Sequence, residues 1–582
     1  MKHSFKYVIA AGLIGLITVS SCSKKIDDAY ANPNAAVKQP VEVIFPSLIG
    51  SLVGSSSAAG SAYGTAGDGL LIGRYIQFWG SYISSATDNI GTFYDKMAGT
   101  TGASDAMGSM WAAHYYGMGQ NINRIVEWGS EEQKWDYVGA AWALRAWSLF
   151  EATNQYGEMI LRQAFDQTRQ QFNYDPQPEI YDSVRIICHR AIDYLSRTGG
   201  GMNATNFANS DFYFNKGDLG RWIKFCHGIL ARSFGYLSNK LAYNYDSVIY
   251  HANLAMTSNA DNATAKFANS GNTGTSNYFG TARGNVNNAT SGIRQSAFIA
   301  DLMSGANALA FTGVADPRAW YLLRGNLNGT IRGYSPSWST AINPVLAAAD
   351  QPESFVGTLY GTTGYTPYGG SSGPPVIPPV LTTNSTAGKY IFRDEAEFPI
   401  MTASEMQFLK AEALIRKTDY VNAKTAYING IGLNFDMLLA NYNINIPAGK
   451  DINAANKAAY LNNPLVVPLI ADFANMTLTK VMLQKYIAMY GWGIHDVWAD
   501  MRRYHYNALD PATGQQVYAG FKVPTGTDLF SGSSGSNNGK LVYRTRPRYN
   551  SEYLYNIPAL ILIGAYPVGN DYHTKECWFT QP

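Results

Sequence analysis

The stretch Thr402-Ala403-Ser404-Glu405-Met406-Gln407-Phe408-Leu409-Lys410-Ala411-Glu412-Ala413-Leu414-Ile415-Arg416-Lys417-Thr418-Asp419-Tyr420 decides the fold. Thr402 followed three residues later by Glu405 is a capping-box pattern: the threonine hydroxyl and the glutamate carboxylate can satisfy two of the amides that a helix start leaves without partners. Apolar residues then recur at helical spacing to about Arg416, Lys417-Thr418-Asp419 predicts a tight turn, and Tyr420 to Ile431 predicts a second helix.

A helix, turn and helix of this size is a tetratricopeptide-like hairpin, and stacked hairpins share the core that one alone lacks. The spacing is too loose for a regular repeat of about 34 residues. The same helical pattern covers Asp105 to Trp128, Trp135 to Tyr156, Pro178 to Leu195, Leu219 to Asn239 and Leu478 to Tyr490. In the second of these, Val138, Ala141 or Trp142, Leu149 and Ala152 line one face, with Arg145 as the polar exception. The expected fold is therefore all-α, irregular tetratricopeptide-like hairpins decorated with long loops and short strands, and the length is compatible with two to four modules or with one large helical body. The loops fall at 253–292, 325–388 and 510–549, where repeated Gly and Pro interrupt any helix. Loops of that length usually bind something or are disordered, and their tyrosines and tryptophans favour binding.

Composition narrows the function. The 582 residues carry 44 Lys and Arg against 42 Asp and Glu, and a net charge of +2 argues against a polyanion-binding chain. Charged residues make up 15%, below the roughly 25% of ordinary soluble domains, so neutral polar groups carry much of the surface. The 40 tyrosines and 12 tryptophans provide many flat, half-polar rings for exposed contact.

At the N-terminus, Lys2 and Lys6, an apolar run from Tyr7 to Val19 and the tetrad Val19-Ser20-Ser21-Cys22 read as a secretory signal over residues 1–22 that ends in a bacterial lipobox. The run is too short for a comfortable bilayer span of about 20 residues. Cys22 is the expected lipid-attachment site, and acyl chains hold an otherwise soluble globule at a membrane surface, each buried methylene contributing about 0.8 kcal/mol. The other reading is an ordinary signal peptide followed by an incidental cysteine. Ser23, standing where aspartate would resemble an inner-membrane retention signal, favours outer-membrane delivery. Residues 23–40, with Asn32-Pro33-Asn34, read as a tether.

Cys188, Cys226 and Cys577 permit at most one internal disulfide, and buried thiols are the plainer expectation. Cys188-His189 and Cys226-His227 invite a metal reading, but neighbours on a helix point roughly 100 degrees apart and no CxxC spacing supports a closed site. The sequence has no phosphate loop, HExxH helix, GxSxG elbow or calcium loop, so neither an enzyme nor a cofactor is expected. Structural calcium held by loop carbonyls and acids such as Asp68 or Asp88 stays open.

These pieces together resemble the SusD/RagB family of nutrient-binding outer-membrane lipoproteins of Bacteroidetes, in its SusD-like branch. The resemblance spans essentially the mature chain. It rests on the lipobox, Arg74-Tyr75-Ile76-Gln77-Phe78-Trp79, the helix ending near Tyr156-Gly157-Glu158, Gln484-Lys485-Tyr486-Ile487-Ala488, Trp498-Ala499-Asp500-Met501-Arg502-Arg503 and Arg546-Pro547-Arg548-Tyr549-Asn550-Ser551-Glu552. Around Asn154-Gln155-Tyr156-Gly157-Glu158-Met159 the chain departs from the family's more usual acidic residue, tyrosine, glycine, aspartate and proline series. The resemblance implies one large helical body over residues 41–582 containing four irregular tetratricopeptide-like hairpins. It also implies a surface lipoprotein that captures a nutrient, an oligosaccharide ahead of a peptide, and delivers it to a TonB-dependent, SusC-like barrel without breaking bonds.

Candidate ligand residues are aromatics beside polar donors: Trp79, Tyr82, Asp88 and Asn89 early in the chain, Trp320 and Tyr321 after Asp316-Pro317-Arg318, and Trp338, Tyr360, Tyr365 and Tyr368 in the Gly- and Pro-rich region. Trp79 stacks on a sugar face in one reading and is a core aromatic in the other. Trp498, Asp500, Arg502, Arg503, Arg546 and Glu552 read instead as a structural network of ion pairs and hydrogen bonds fixing the last helix to the C-terminal segment, because an unpaired buried guanidinium is costly.

Overall fold

The computed structural model describes residues 38–54, 64–81, 105, 107–268, 275–280, 293–334, 346–350, 352–353, 355, 388–523 and 539–582. The signal segment, Cys22 and the tether up to residue 37 lie outside them.

Helices α1 (Val41–Gly50) and α2 (Thr65–Tyr75) lead into the short strand β1 (Trp79–Ser81). Next come α3 (Ser109–Ala112), a π-helical stretch (Ala113–Gly119) and α4 (Gln120–Glu131), where the sequence predicts one helix. Then follow α5 (Trp135–Tyr156), α6 (Gln177–Leu195), α7 (Ala204–Ser210), α8 (Leu219–Gly235) and α9 (Tyr245–Leu254). A less regular middle holds β2 (Ala263–Ala265), β3 (Ile293–Gln295), α10 (Ala297–Ser304), α11 (Ala319–Leu322) and β4 (Phe398–Met401). The last third carries α12 (Ala403–Arg416), α13 (Tyr420–Asn441), α14 (Ala454–Leu461), α15 (Leu478–Ala488), α16 (Ile494–Arg503) and α17 (Ile557–Leu562). The body is all-α: the strands form two antiparallel pairs, β1 with β3 and β2 with β4. Among the described residues no helix is long and apolar enough to cross a membrane.

The helices stack as neighbours, α4 on α5, α5 on α6, α6 on α8, α8 on α9, α9 on α12 and α12 on α13, around one continuous core. Nearly every residue of α5 is buried, which marks it as the central helix. Arg145, the polar exception on its face, is buried because it has work at the π-helical stretch. Its guanidinium donates to the Gly119 carbonyl at 2.9 Å and to Asn123 Oδ1 at 2.7 Å, and lies 4.5 Å over the Phe165 ring.

The deciding hairpin forms, with one correction to its cap. The Thr402 hydroxyl accepts from the Glu405 amide at 3.2 Å, but the Glu405 carboxylate does not close the capping box. It is taken by Arg232 in a two-pronged pair at 2.6 and 2.8 Å, and a buried charge-assisted fork outcompetes a single amide. Thr418 adopts positive φ in the turn, and Asp419 caps α13 by accepting from the Asn422 amide.

Gly73 and Trp79 show how tightly the first segment is fitted. Trp79 is fully buried, its indole N–H donates to the Leu70 carbonyl at 2.8 Å, and a Cβ on Gly73 would come within 2.3 Å of its ring. Gly73→Ala is expected to cost about 1–3 kcal/mol through overpacking. Urea unfolding checks this, and an unshifted midpoint would contradict the packing described. Cys188, Cys226 and Cys577 are free, buried thiols, and burial pushes all three above the ordinary thiol range.

Candidate functional site

The segment around α11 is anchored before it reaches the surface. Arg318 is fully buried, paired with Asp316 at 2.6 Å and donating to Asn434 Oδ1 at 2.9 Å and Gln484 Oε1 at 2.6 Å, which ties the entry to α11 onto α13 and α15. Tyr321 is also fully buried. Its hydroxyl donates to Asn443 Oδ1 at 2.8 Å and accepts from the Ile452 amide at 3.2 Å. It is a strut and not a ligand platform. Trp320, one residue earlier, is half-buried with the Lys450 ammonium 4.5 Å over its ring. Lys389 reaches from the far end of the long middle segment and donates to the Trp320 carbonyl; its burial, with Arg324 nearby, holds its pKa well below the usual lysine range.

Beyond α11 the chain presents exposed polar groups. Asn328 donates its amide to Asp350 Oδ1 at 2.9 Å, Arg332 lies 3.9 Å from the same carboxylate, and Asn326 is buried beneath, donating to Thr330 Oγ1 at 2.8 Å. Trp320, Asn328, Asp350 and Arg332 thus offer an aromatic ring, an amide, a carboxylate and a guanidinium. Hydroxyl-rich ligands with apolar ring faces need that mixture.

Of the other sequence candidates, Trp79 belongs to the core, where no ligand reaches its ring. Tyr82, Asp88, Asn89, Trp338, Tyr360, Tyr365 and Tyr368 lie outside the described residues. Both oxygens of Asp68, raised as a calcium ligand, accept protein donors: the Ser109 and Met110 amides, at 3.1 and 3.0 Å, and Gln155 Nε2 at 2.8 Å. Asp68 therefore caps α3 from a distance in sequence.

Sequence reasoning missed a groove of about 430 Å³ whose lining includes none of those residues. Leu309, Phe311, Leu465, Leu469 and Ile470 give it aliphatic and aromatic walls, and Thr479 and Lys480 add polar atoms. Leu469 and Ile470 are 78% and 64% exposed. The available signal was the apolar run Leu465-Val466-Val467-Pro468-Leu469-Ile470 between helices.

Several buried acids of the helical body are engaged in ion pairs. Arg232 meets Glu405, Glu151 at 3.0 Å and Asp496 at 3.1 Å, all nearly inaccessible. Arg503 pairs with Glu412 at 2.8 Å and Asp500 at 2.5 Å, and Lys485 reaches Asp500 at 2.7 Å. Arg503 therefore binds α16 to α12. Arg502 donates instead to neutral carbonyls, that of Asn154 on α5 at 2.6 Å and that of Tyr543 in the C-terminal segment at 2.9 Å, and lies 3.7 Å over the Trp498 ring. Trp498 donates its indole N–H to the Tyr506 hydroxyl at 2.8 Å. Arg546 stacks over Tyr549 and Tyr553, while Glu552 accepts from the Tyr174 hydroxyl at 2.6 Å and Asn556 Nδ2 at 2.8 Å. At the family-variant position, Glu158 receives Arg544 at 2.6 Å.

Residues 72–525 match a SusD-like sequence family described as "Starch-binding associating with outer membrane". No curated protein matches the chain. Among solved structures, a SusD/RagB family protein of Bacteroides thetaiotaomicron is 19% identical with a TM-score of 0.60, the match covering 93% of this chain and 99% of that one. A SusD homolog of Bacteroides fragilis is 18% identical with a TM-score of 0.58, covering 93% and 100%. A Bacteroidetes SusD-like protein is 16% identical with a TM-score of 0.62, covering 93% and 99%. At these identities the structures share the fold.

Proposed function

Because this chain belongs to the SusD-like family, we propose that it is an outer-membrane lipoprotein, anchored through Cys22, that captures an oligosaccharide at the cell surface and hands it to a TonB-dependent, SusC-like barrel. The observation that carries the reading is the half-buried Trp320 ring on α11 with Lys450 above it, followed along the chain by the exposed Asn328 and Arg332, which gather at the carboxylate of Asp350. Such groups hold a hydrated ligand without chemistry, the ring taking an apolar sugar face and the amide and charges taking hydroxyls. The binding role is also supported by the engagement of the body's acids with Arg232, Arg503 and Lys485, which gives those carboxylates structural work.

A second reading, peptide capture by the same kind of importer, is favoured by the groove at Leu469 and Ile470. Its aliphatic walls suit apolar side chains better than hydrated sugars. Calorimetry on residues 23–582 separates the two, and removing 1–22 touches none of the described fold. The expected result is saturable heat with one class of oligosaccharide and none with mixed short peptides. A peptide response with silence across host, plant and microbial oligosaccharides would move the function to peptide import.

A further inference from the structure

Two segments far apart in sequence meet at Trp320, and the second of them brings a cation. The Tyr321 hydroxyl clamps residues 443–452 against α11 through Asn443 Oδ1 and the Ile452 amide, at 2.8 and 3.2 Å. Asn445 Nδ2 donates to the Gly388 carbonyl at 2.7 Å, and the next residue along, Lys389, donates to the Trp320 carbonyl, so the same loop is tied to the far end of the middle segment. Between these clamps Pro447-Ala448-Gly449-Lys450 forms a tight turn. The Lys450 amide donates to the Pro447 carbonyl at 3.0 Å, and Gly449 takes a positive φ of 72°, which glycine adopts without steric cost.

The turn delivers the Lys450 ammonium to 4.5 Å from the centre of the Trp320 ring. Among the described residues no carboxylate forms an ion pair with Lys450, its exposed neighbour Asp451 included, whereas Lys457 is held by Asp436. Trp320 packs against the core and is half-buried, so a ligand that reaches its ring meets the ammonium at the same place. That coincidence discriminates between ligands. A neutral sugar stacking on the ring competes with the ammonium for it and offers the cation only hydroxyls. A sugar ring bearing an anionic group lays its apolar face on the indole while the flexible lysine arm turns its three donors to the anion. A charge-assisted hydrogen bond of that kind is roughly twice as strong as a neutral one.

We propose that the oligosaccharide captured at Trp320 is acidic, carrying a carboxylate or a sulfate ester on the sugar that stacks there, and that Lys450 is the residue that selects it. This selectivity rests on Trp320 being an oligosaccharide platform and adds the charge of the ligand to that reading. The net charge of +2 over 582 residues gives the chain no general attraction for anions, so the preference is local to Lys450 and disappears with it. Because the ammonium is partly open to solvent, salt screens the preference.

The test is calorimetric titration of residues 23–582, at low and at high salt, with two matched pairs of oligosaccharides: an oligouronate against its carboxyl-reduced form, and a sulfated oligosaccharide against its desulfated form. The expected result is that the acidic member of one pair binds about tenfold or more tighter than its neutral counterpart at low salt, and that the gap narrows at high salt. The pair that shows the preference tells carboxylate from sulfate. Lys450→Gln should bring the two members to within about twofold of each other, Lys450→Arg should keep the preference, and Trp320→Ala should weaken both members. Equal binding of acidic and neutral members by wild type overturns the proposal and leaves oligosaccharide capture standing, as does a preference that survives in Lys450→Gln. Silence toward both pairs with saturable binding of another, neutral oligosaccharide also overturns the charge preference alone, whereas silence toward oligosaccharides of every class overturns capture itself. Should Lys450→Gln fail to fold, the wild-type comparison and its salt dependence decide.

Discussion

Arg232→Met is expected to destabilise the fold by about 3–5 kcal/mol near pH 7, and by clearly less as the pH falls toward about 4.5. Arg232 is the cation shared by Glu151, Glu405 and Asp496, and its guanidinium also donates to the Ile400 carbonyl at 2.9 Å. Removing it leaves buried carboxylates without their cation, which costs far more than the pair itself contributes. The pH dependence follows from the excess of acid. Burial, then the Asp496 carboxylate, already push Glu151 well above the ordinary carboxylate range, and burial raises Glu405 and Asp496. A carboxyl whose native pKa lies above its unfolded value of about 4 binds more protons when folded, so stability falls as pH rises through that window. Without Arg232 the native values rise further, and protonation at lower pH relieves the penalty.

The Arg503 cluster behaves in the opposite sense. Burial alone would raise Glu412, but Arg503 outweighs it and holds the carboxyl down at about 2, so that contribution is lost only as pH falls from about 4 toward 2. It is the same in both proteins and cancels in the comparison. Urea unfolding of wild type and Arg232→Met from pH 4.5 to 8 checks the claim, and a difference that does not change with pH would contradict it.

The hairpin at 402–431 was legible because its cap and its apolar spacing are local signals, yet α13 continues to Asn441. Gly430, Gly432 and Asn434 look like breakers, but Gly430 lets the Phe408 ring approach where a Cβ would stand 2.9 Å away, and Phe435, Met437 and Leu438 are buried beyond it. Packing between helices overrides propensity there. The π-helical stretch at 113–119 has no comparable local signal, and its consequence, the buried Arg145, was visible only as an anomaly on one face. Exposure is likewise a tertiary property: Trp79 and Trp320 both sit beside polar residues in sequence, while the fold buries one completely and leaves the other half-covered.

That difference between two tryptophans gives the second large expected effect. Trp79→Ala removes a fully buried indole together with its hydrogen bond to Leu70, and is expected to cost about 3–5 kcal/mol of stability. Oligosaccharide affinity of the fraction that remains folded should be unaltered. Trp320→Ala should do the reverse. A central aromatic at a binding surface commonly contributes about 2 kcal/mol or more, so its loss should weaken binding by about 30-fold or more. Its half-buried ring, covered on one side by Lys450, should leave stability within about 2 kcal/mol of wild type. Thermal unfolding and ligand titration of both variants separate the two roles.

The most direct test of oligosaccharide capture at Trp320 on α11 is a calorimetric titration of one oligosaccharide class into wild type, Trp320→Ala and the groove variant Leu469→Ser. The account predicts saturable binding in wild type, its loss in Trp320→Ala and its retention in Leu469→Ser. Equal binding by wild type and Trp320→Ala, or loss in Leu469→Ser with retention in Trp320→Ala, would contradict it.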